Sequence, residues 1–209
     1  MIETRPPLPT GQPLVGRHVQ LTLLAEHELV SLSPLLADPR VYANGYVMHR
    51  RPVDLEDGIA LARERFLHGQ GTSRWSYAVH LAPGSDLGEA GMLVGTSSLL
   101  DADPANERIH LGSTLYGVPW WGTKVNPECK LLLLGHCFEG LGYGRVKIQT
   151  DRLNSRSQAA ISKLGAQREG VLRRHTRRED GSFRDTVVFS VLRDEWPQVR
   201  AGLAARLQG

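Results

Sequence analysis

The sequence predicts an α/β fold, a mixed and mostly antiparallel central sheet of about seven strands flanked by helices. Three observations carry this. Segments with the two-residue alternation of strands interleave with segments of helical period along 209 residues, a length that suits one domain. Their order, β-α-α-β-β-β-α-β-α-β-β, sets helices between some strands and tight turns between others. The segment 129–139 is apolar almost all round (Leu131, Leu132, Leu133, Leu134, Cys137, Phe138), as in a helix packed inside a layered domain.

The elements follow in chain order. Residues 1–13 hold four prolines and no apolar core, so they read as a loose tail rather than a secretion leader, with a single domain over 14–209. Val19, Leu21 and Leu23 alternate as a half-buried strand. Helices are expected at 26–37 and 54–68, the second capped by Asp54 with Asp57 three residues on. The interval 38–52, with Pro39, Gly45 and Pro52, reads as a loop. Strands are expected at 75–81 and 92–100 around the turn-rich stretch 82–91, then a polar loop at 101–107 and a strand at 108–116. Beyond the apolar helix come a strand at 145–150 and a helix at 155–164 that stops at Gly165. Strands at 167–176 and 184–192 join through Asp180-Gly181, a hairpin signal, and a helix at 195–207 follows. The sequence shows no repeat and no low-complexity block.

Composition narrows the function. A 41% hydrophobic and 22% charged chain has the balance of a soluble globular protein, and no apolar run is long enough to cross a bilayer. A net charge of +3 tolerates an anionic ligand without demanding nucleic acid. Cys129 and Cys137 lie eight apart on one helix, about 12 Å at a rise of about 1.5 Å per residue, too far for a disulfide. They read as reduced packing residues of a cytoplasmic protein, and no activating base marks either as a nucleophile. Zinc-ligand spacing, a Walker loop and a nucleophile elbow are all missing from the sequence, and no metal is expected. The basic run 173–178 is diluted by Glu179, Asp180 and Asp185 and reads as a solvated hairpin.

The stretch 121–128, Trp-Gly-Thr-Lys-Val-Asn-Pro-Glu, suggests a helix start shaped for an anion. Asn126 suits the N-cap, Pro127 the first helical position and Glu128 the positive end of the dipole. Such an end offers unpaired N–H groups to a phosphate, with Lys124 and Lys130 adding charge; an ordinary capped core helix is the other reading of the same residues.

Six further segments share an order and spacing with a known family: Ile109-His110-Leu111-Gly112, Trp121-Gly122-Thr123, Asn154-Ser155-Arg156-Ser157, Lys163-Leu164-Gly165-Ala166, Glu169-Gly170-Val171-Leu172 and Asp185-Thr186-Val187-Val188. In these the chain resembles the GNAT superfamily of acyl-CoA-dependent N-acyltransferases, and within it the ribosomal-protein N-acetyltransferase (RimJ/RimL-like) branch, over nearly all of 15–196. The resemblance implies a GNAT fold whose fourth and fifth strands, here 108–116 and 145–150, splay near a bulge to admit acetyl-CoA. Backbone N–H groups of Ser113, Thr114 and Leu115 would polarise the thioester, and Trp121, Gly122, Thr123, Lys124, Val125 and Asn126 would cradle the pyrophosphate. Relatives read Arg/Gln-x-x-Gly-x-Gly/Ala in that cradle. Lys124 and Asn126 stand at the glycine positions, which implies a retuned cradle with the Lys124 ammonium compensating.

The amine then attacks the thioester directly. His110 stands where relatives often carry a glutamate base, Asn154 would bond the pantetheine arm, and Arg156 would meet the ribose phosphate of CoA. Ser157 would face the sulfur, and because the position of the usual tyrosine acid is Ile161, either Ser157 or solvent would protonate the leaving thiolate. Taken alone, His110 is a histidine on a strand, Asn154 an N-cap and Arg156 a helix-surface cation, while Trp120 and Trp121 wall the cleft or pack under the loop. The implied activity is acetyl transfer to a primary amine, either a protein N-terminus or a small amine, with no membrane or nucleic-acid partner expected and a homodimer allowed. A bulkier acyl donor is also compatible. The competing class is a non-catalytic acyl-CoA binder or nucleic-acid-associated regulator on the same fold.

Overall fold

The structure is a computed structural model that describes residues 5–43 and 49–208. Alternating sequences pair into one open eight-stranded sheet: β1 (Leu14–Val15), β2 (Val19–Leu23), β3 (Arg74–Leu81), β4 (Leu93–Asp103), β5 (Arg108–Tyr116), β6 (Arg145–Asp151), β7 (Gln167–Arg177) and β8 (Phe183–Leu192). The strand order is β1-β2-β3-β4-β5-β6-β8-β7, and only β5 with β6 run parallel. The helices are α1 (Leu29–Ala37), α2 (Pro39–Tyr42), α3 (Leu55–Ala62), α4 (Val125–Gly135), α5 (Ser155–Leu164) and α6 (Trp196–Gln208). Among the described residues no helix is long and apolar enough to cross a membrane.

Strand alternation divides the interior into two clusters. Trp75, Tyr77 and Val79 of β3 pack with Cys129, Leu133 and Leu134 of α4 and with Trp196, Val199 and Leu203 of α6. Ala78 joins Leu29, Leu32 and Leu36 of α1 with Ala62, Phe66 and Leu115. Successive β3 residues point to opposite faces, so the sheet separates α1 and α3 from α4 and α6. Both cysteines are fully buried and free, and burial pushes both thiols up, as packing residues require.

Several expectations are corrected. β1 makes eight strands where about seven were expected, and the region read as a loose tail is docked over its described part. Pro6, Pro9 and Gly11 are buried, and the Tyr143 hydroxyl donates to the Pro7 carbonyl at 3.2 Å. Within 38–52 the Asp38 side chain accepts from the Arg40 N–H and starts the short helix α2, while Gly45 lies outside the described residues. The predicted 26–37 helix opens with a 3₁₀ turn at Glu26–Glu28, and 54–68 is α3 followed by a π turn at Arg63–Leu67; Asp54 caps α3 through the Asp57 N–H, as expected. β4 extends through Asp101 to Asp103, so Asp101 belongs to a strand and not to a polar loop. The predicted hairpin turn forms with Gly181 at φ +83°, where glycine meets no steric cost.

The basic run in β7 is broken up by its partners. Arg178 turns inward to a buried ion pair with Asp151, and the Arg174 guanidinium sits 4.0 Å from the centroid of the Phe183 ring.

Candidate active site

β5 and β6 align for three residues only, Arg108 with Arg145, Ile109 with Val146 and His110 with Lys147. Beyond His110 they separate, so the β5 edge from Leu111 onward is left unpaired by β6. The cause is a bulge. Gly112 faces Ser98 and Leu115 faces Thr96, so Ser113 and Thr114 oppose the single residue Ser97, and Ser113 adopts φ +46°. The Lys130 ammonium of α4 supports the bulge from the interior, donating to Thr114 Oγ1 at 2.8 Å and Ser97 Oγ at 3.4 Å, while Arg74 Nη1 donates to Ser113 Oγ at 3.2 Å. Burial lowers the Lys130 pKa. A cleft of about 640 Å³ opens at the splay, within the range of small-molecule sites.

The structure brings most of the candidate residues to this cleft. His110, Ser113, Thr114, Leu115, Trp121, Gly122, Asn126, Asn154, Arg156 and Ser157 all line it. Thr123, Lys124 and Val125 do not. Val125 is fully buried in the core, and Thr123 Oγ1 donates to the Trp120 carbonyl and accepts from the Val125 N–H at 3.3 Å. Lys124 Nζ lies 3.9 Å from Asp86 Oδ2.

The helix start is also corrected. α4 begins at Val125 with Lys124 as N-cap, because the Thr123 hydroxyl already supplies the accepting oxygen; Asn126 sits at the second helical position and Pro127 at the third. Lys124 has ordinary right-handed torsions (φ −69°, ψ −12°), so lysine at a family glycine position strains nothing, and the left-handed turn falls on Gly122 at φ +79°. Glu128 faces away from any ligand. Its carboxylate accepts the N–H groups of Arg17, His18 and Val19 at 2.9, 2.6 and 2.7 Å.

His110 is 7% exposed, and its Nδ1 lies 3.3 Å from Asp101 Oδ2. Asp101 is held by backbone at φ +50°, uncommon for a residue with a side chain, and also lies 3.6 Å from Lys147 Nζ. The hydrogen bond from His110 holds the Asp101 carboxyl below the usual carboxylate range, and burial holds His110 below the ordinary histidine value. A neutral imidazole whose Nδ1–H is committed to Asp101 leaves Nε2 as the proton acceptor. Nε2 is buried and has no hydrogen-bond partner among the described residues. Asp101 escaped the sequence because it looked like part of a loop; a polar residue one hairpin away from His110 was the available signal.

A methyl group on Gly112 would lie 2.6 Å from His110 Nε2. Gly112→Ala is therefore expected to displace the imidazole and lower kcat at least about tenfold, the scale of a misplaced catalytic group. CoA affinity, measured by calorimetry, should hold.

On the opposite wall Asn154 Oδ1 accepts the Ser157 N–H at 2.9 Å, capping α5 and leaving its amide NH₂ for other partners. The Arg156 guanidinium lies 3.4 Å from the Trp121 ring centroid, and Trp121 Nε1 donates to the Tyr116 carbonyl at 2.8 Å. This stack ties α5 to the loop before α4 across the cleft mouth. Ile161 is buried in the cleft wall and offers no proton. Among the described residues no group of three His, Cys, Asp or Glu side chains could hold a metal ion.

A parallel strand pair forced apart by a bulge thus opens a cleft with a helix start on one side and a carboxylate-held histidine on the other. Residues 18–167 match the family described as Acetyltransferase (GNAT) domain. The chain belongs to this family and is an acyl-CoA-dependent acetyltransferase. It is 27% identical over 140 residues, 67% of this chain and 72% of the relative, to the uncharacterized N-acetyltransferase p20 of Bacillus licheniformis. A solved protein from T. thermophilus, assigned provisionally as an acetyltransferase, matches at 38% identity and a TM-score of 0.79, covering 94% of this chain and 97% of that one. Mycobacterium smegmatis RimJ, solved in complex with CoA-disulfide, shares the fold at a TM-score of 0.68 and 18% identity, covering 93% of this chain and 92% of that one.

Proposed function

We propose that the protein transfers the acetyl group of acetyl-CoA to a primary amine, on a small molecule or a peptide N-terminus, with His110 as the base. The carrying observation is the unpartnered, buried Nε2 of His110, a residue that lines the cleft and whose ring is held by Asp101. In this reading acetyl-CoA lies between β5 and β6, with its diphosphate at Gly122 and the start of α4. The unpaired β5 edge at Ser113, Thr114 and Leu115 supplies N–H groups to the thioester oxygen. The amine nitrogen bonds to the acetyl carbon as the carbon–sulfur bond breaks. The amine proton passes to His110 Nε2, directly or through a water, and the CoA thiolate takes a proton from Ser157 or solvent. Arg156, stacked on Trp121, is placed for a CoA phosphate. The fully buried, reduced thiols support a reducing compartment such as the cytoplasm.

The test has two parts. CoA and acetyl-CoA should raise the melting temperature, because a ligand at 100 times its Kd adds about 2.7 kcal/mol of apparent stability. Thiol release from acetyl-CoA should then depend on an added primary amine. Binding without release by any amine would favour the non-catalytic acyl-CoA binder, and no stabilisation at all would remove the reading.

A further inference from the structure

One end of the cleft carries cationic charge that acetyl transfer does not use. Arg65 follows α3, Arg74 opens β3 and Arg184 lies near the start of β8, and all three line the cleft. Arg65 has no ion pair or hydrogen bond among the described residues, and its guanidinium rests 5.0 Å from the centroid of the Phe66 ring. Arg74 donates through Nη1 to a neutral partner, Ser113 Oγ of the bulge, with Asp101 acting on it only through its charge. Arg184 Nε is buried without a hydrogen-bond partner, 3.9 Å from Asp151 Oδ2, and Asp151 is already taken by Arg178. The acidic side chains lining the cleft are Glu64, which is exposed, and Asp151.

Burial is the main cause that lowers the Arg65 pKa; Tyr42 opposes it, and repulsion from Arg74 and Arg184 adds smaller effects in the same direction as burial. Three partly desolvated guanidinium groups lining one cleft are costly to maintain unless something anionic joins them. The planar fork of arginine suits a carboxylate or phosphate, which it can bind through two parallel hydrogen bonds. The diphosphate cradle and Arg156 stand on other elements, and Arg74 reaches the bulge itself, beside the reacting centre.

We propose that Arg65, Arg74 and Arg184 receive an oxyanion, a carboxylate or phosphate, carried by the amine acceptor near its reacting nitrogen. This rests on the acetyl-transfer reading and adds the substrate class to it. The same guanidinium groups repel an ammonium, so they favour the neutral amine that attack requires. Specificity then comes from leaving the cationic pocket unfilled when the acceptor is neutral.

The experiment uses the full chain saturated with acetyl-CoA and two matched acceptor pairs. Glycine against glycinamide represents a small-molecule source of the anion. The amidated peptides Ala-Asp-Asp and Ala-Asn-Asn represent an acidic N-terminus. The anionic member of one pair should show kcat/KM at least about tenfold higher, and the pair that shows it identifies the source. Arg65→Gln and Arg184→Gln should erase the preference while CoA affinity is kept, and Arg65→Glu should turn it toward a basic peptide. Equal kcat/KM within both pairs overturns the proposal. If no amine releases thiol, acetyl transfer fails as a reading, and calorimetry on the CoA-loaded protein decides the anion site separately. Tighter binding of N-acetylglycine than of N-acetylglycinamide, or of the acetylated acidic peptide than of its neutral partner, supports the site. Equal or absent binding in both pairs overturns it.

Discussion

His110→Ala is expected to lower kcat by about 10²- to 10³-fold while the Kd for CoA stays nearly constant, as befits loss of a general base. The imidazole lines the cleft, but no role in donor binding falls to it, so the loss should sit in turnover. The pH profile gives the sharper signature. A base must be neutral to work, so activity is lost as pH falls through its pKa. Burial depresses that pKa in His110, so the acid limb of kcat/KM should lie below the ordinary histidine value of about 6.5. The hydrogen bond with Asp101 opposes this depression. Asp101→Asn should therefore move the limb further toward acid and also lower kcat, since the amide no longer holds the imidazole in one tautomer. Rates across pH with acetyl-CoA saturating and the amine varied from below to above its KM check both the kcat/KM limb and kcat, after correction for protonation of the amine itself. An unchanged limb in His110→Ala, or unchanged kcat, would take His110 out of the chemistry.

Glu128→Ala is expected to cost about 3 kcal/mol of stability, the largest effect foreseen away from the cleft. The Glu128 carboxylate satisfies three successive backbone N–H groups at residues 17–19, which tie the turn between β1 and β2 to the first turn of α4. Those of His18 and Val19 belong to buried residues, and each unsatisfied buried donor costs about 1–3 kcal/mol. For a chain of this size the melting temperature should fall by about 6–12 °C, at about 2–4 °C per kcal/mol. Because α4 begins the candidate diphosphate cradle, CoA should recover part of the loss by mass action. A melting temperature within about 1 °C of the wild type would show that the turn is held by other means.

Glu128 also illustrates what the sequence could disclose. Its place at a helix start was legible, because acidic residues favour that end of the dipole. Its real partners lie 109–111 residues away and leave no local trace. The same division holds across the fold. β5, α5 with its Gly165 stop, and the Asp180-Gly181 turn followed from alternation, capping and turn chemistry, all of them local. The two-residue β1 and the docked segment before it depend on contacts that no short window contains. The helix start moved by two residues, from an Asn126 cap to Lys124, because the Thr123 hydroxyl competed with Asn126 for the capping role. Order and spacing pointed to His110, Trp121, Gly122, Asn154 and Ser157 as candidates, and these five line the cleft. The register of the bulge, Asp101 and the three arginines were not legible, because they assemble from the turn after α3 and from β3, β4, β5 and β8, which no motif joins.

The central claim is that acetyl-CoA enters between β5 and β6, and a crystal structure of the CoA complex tests it most directly. The account predicts the diphosphate against Gly122 and Asn126, with the sulfur between the Ser113–Thr114 bulge and Ser157 and near His110 Nε2. Coenzyme A bound with its sulfur outside that splay, or seated at another surface altogether, would contradict it.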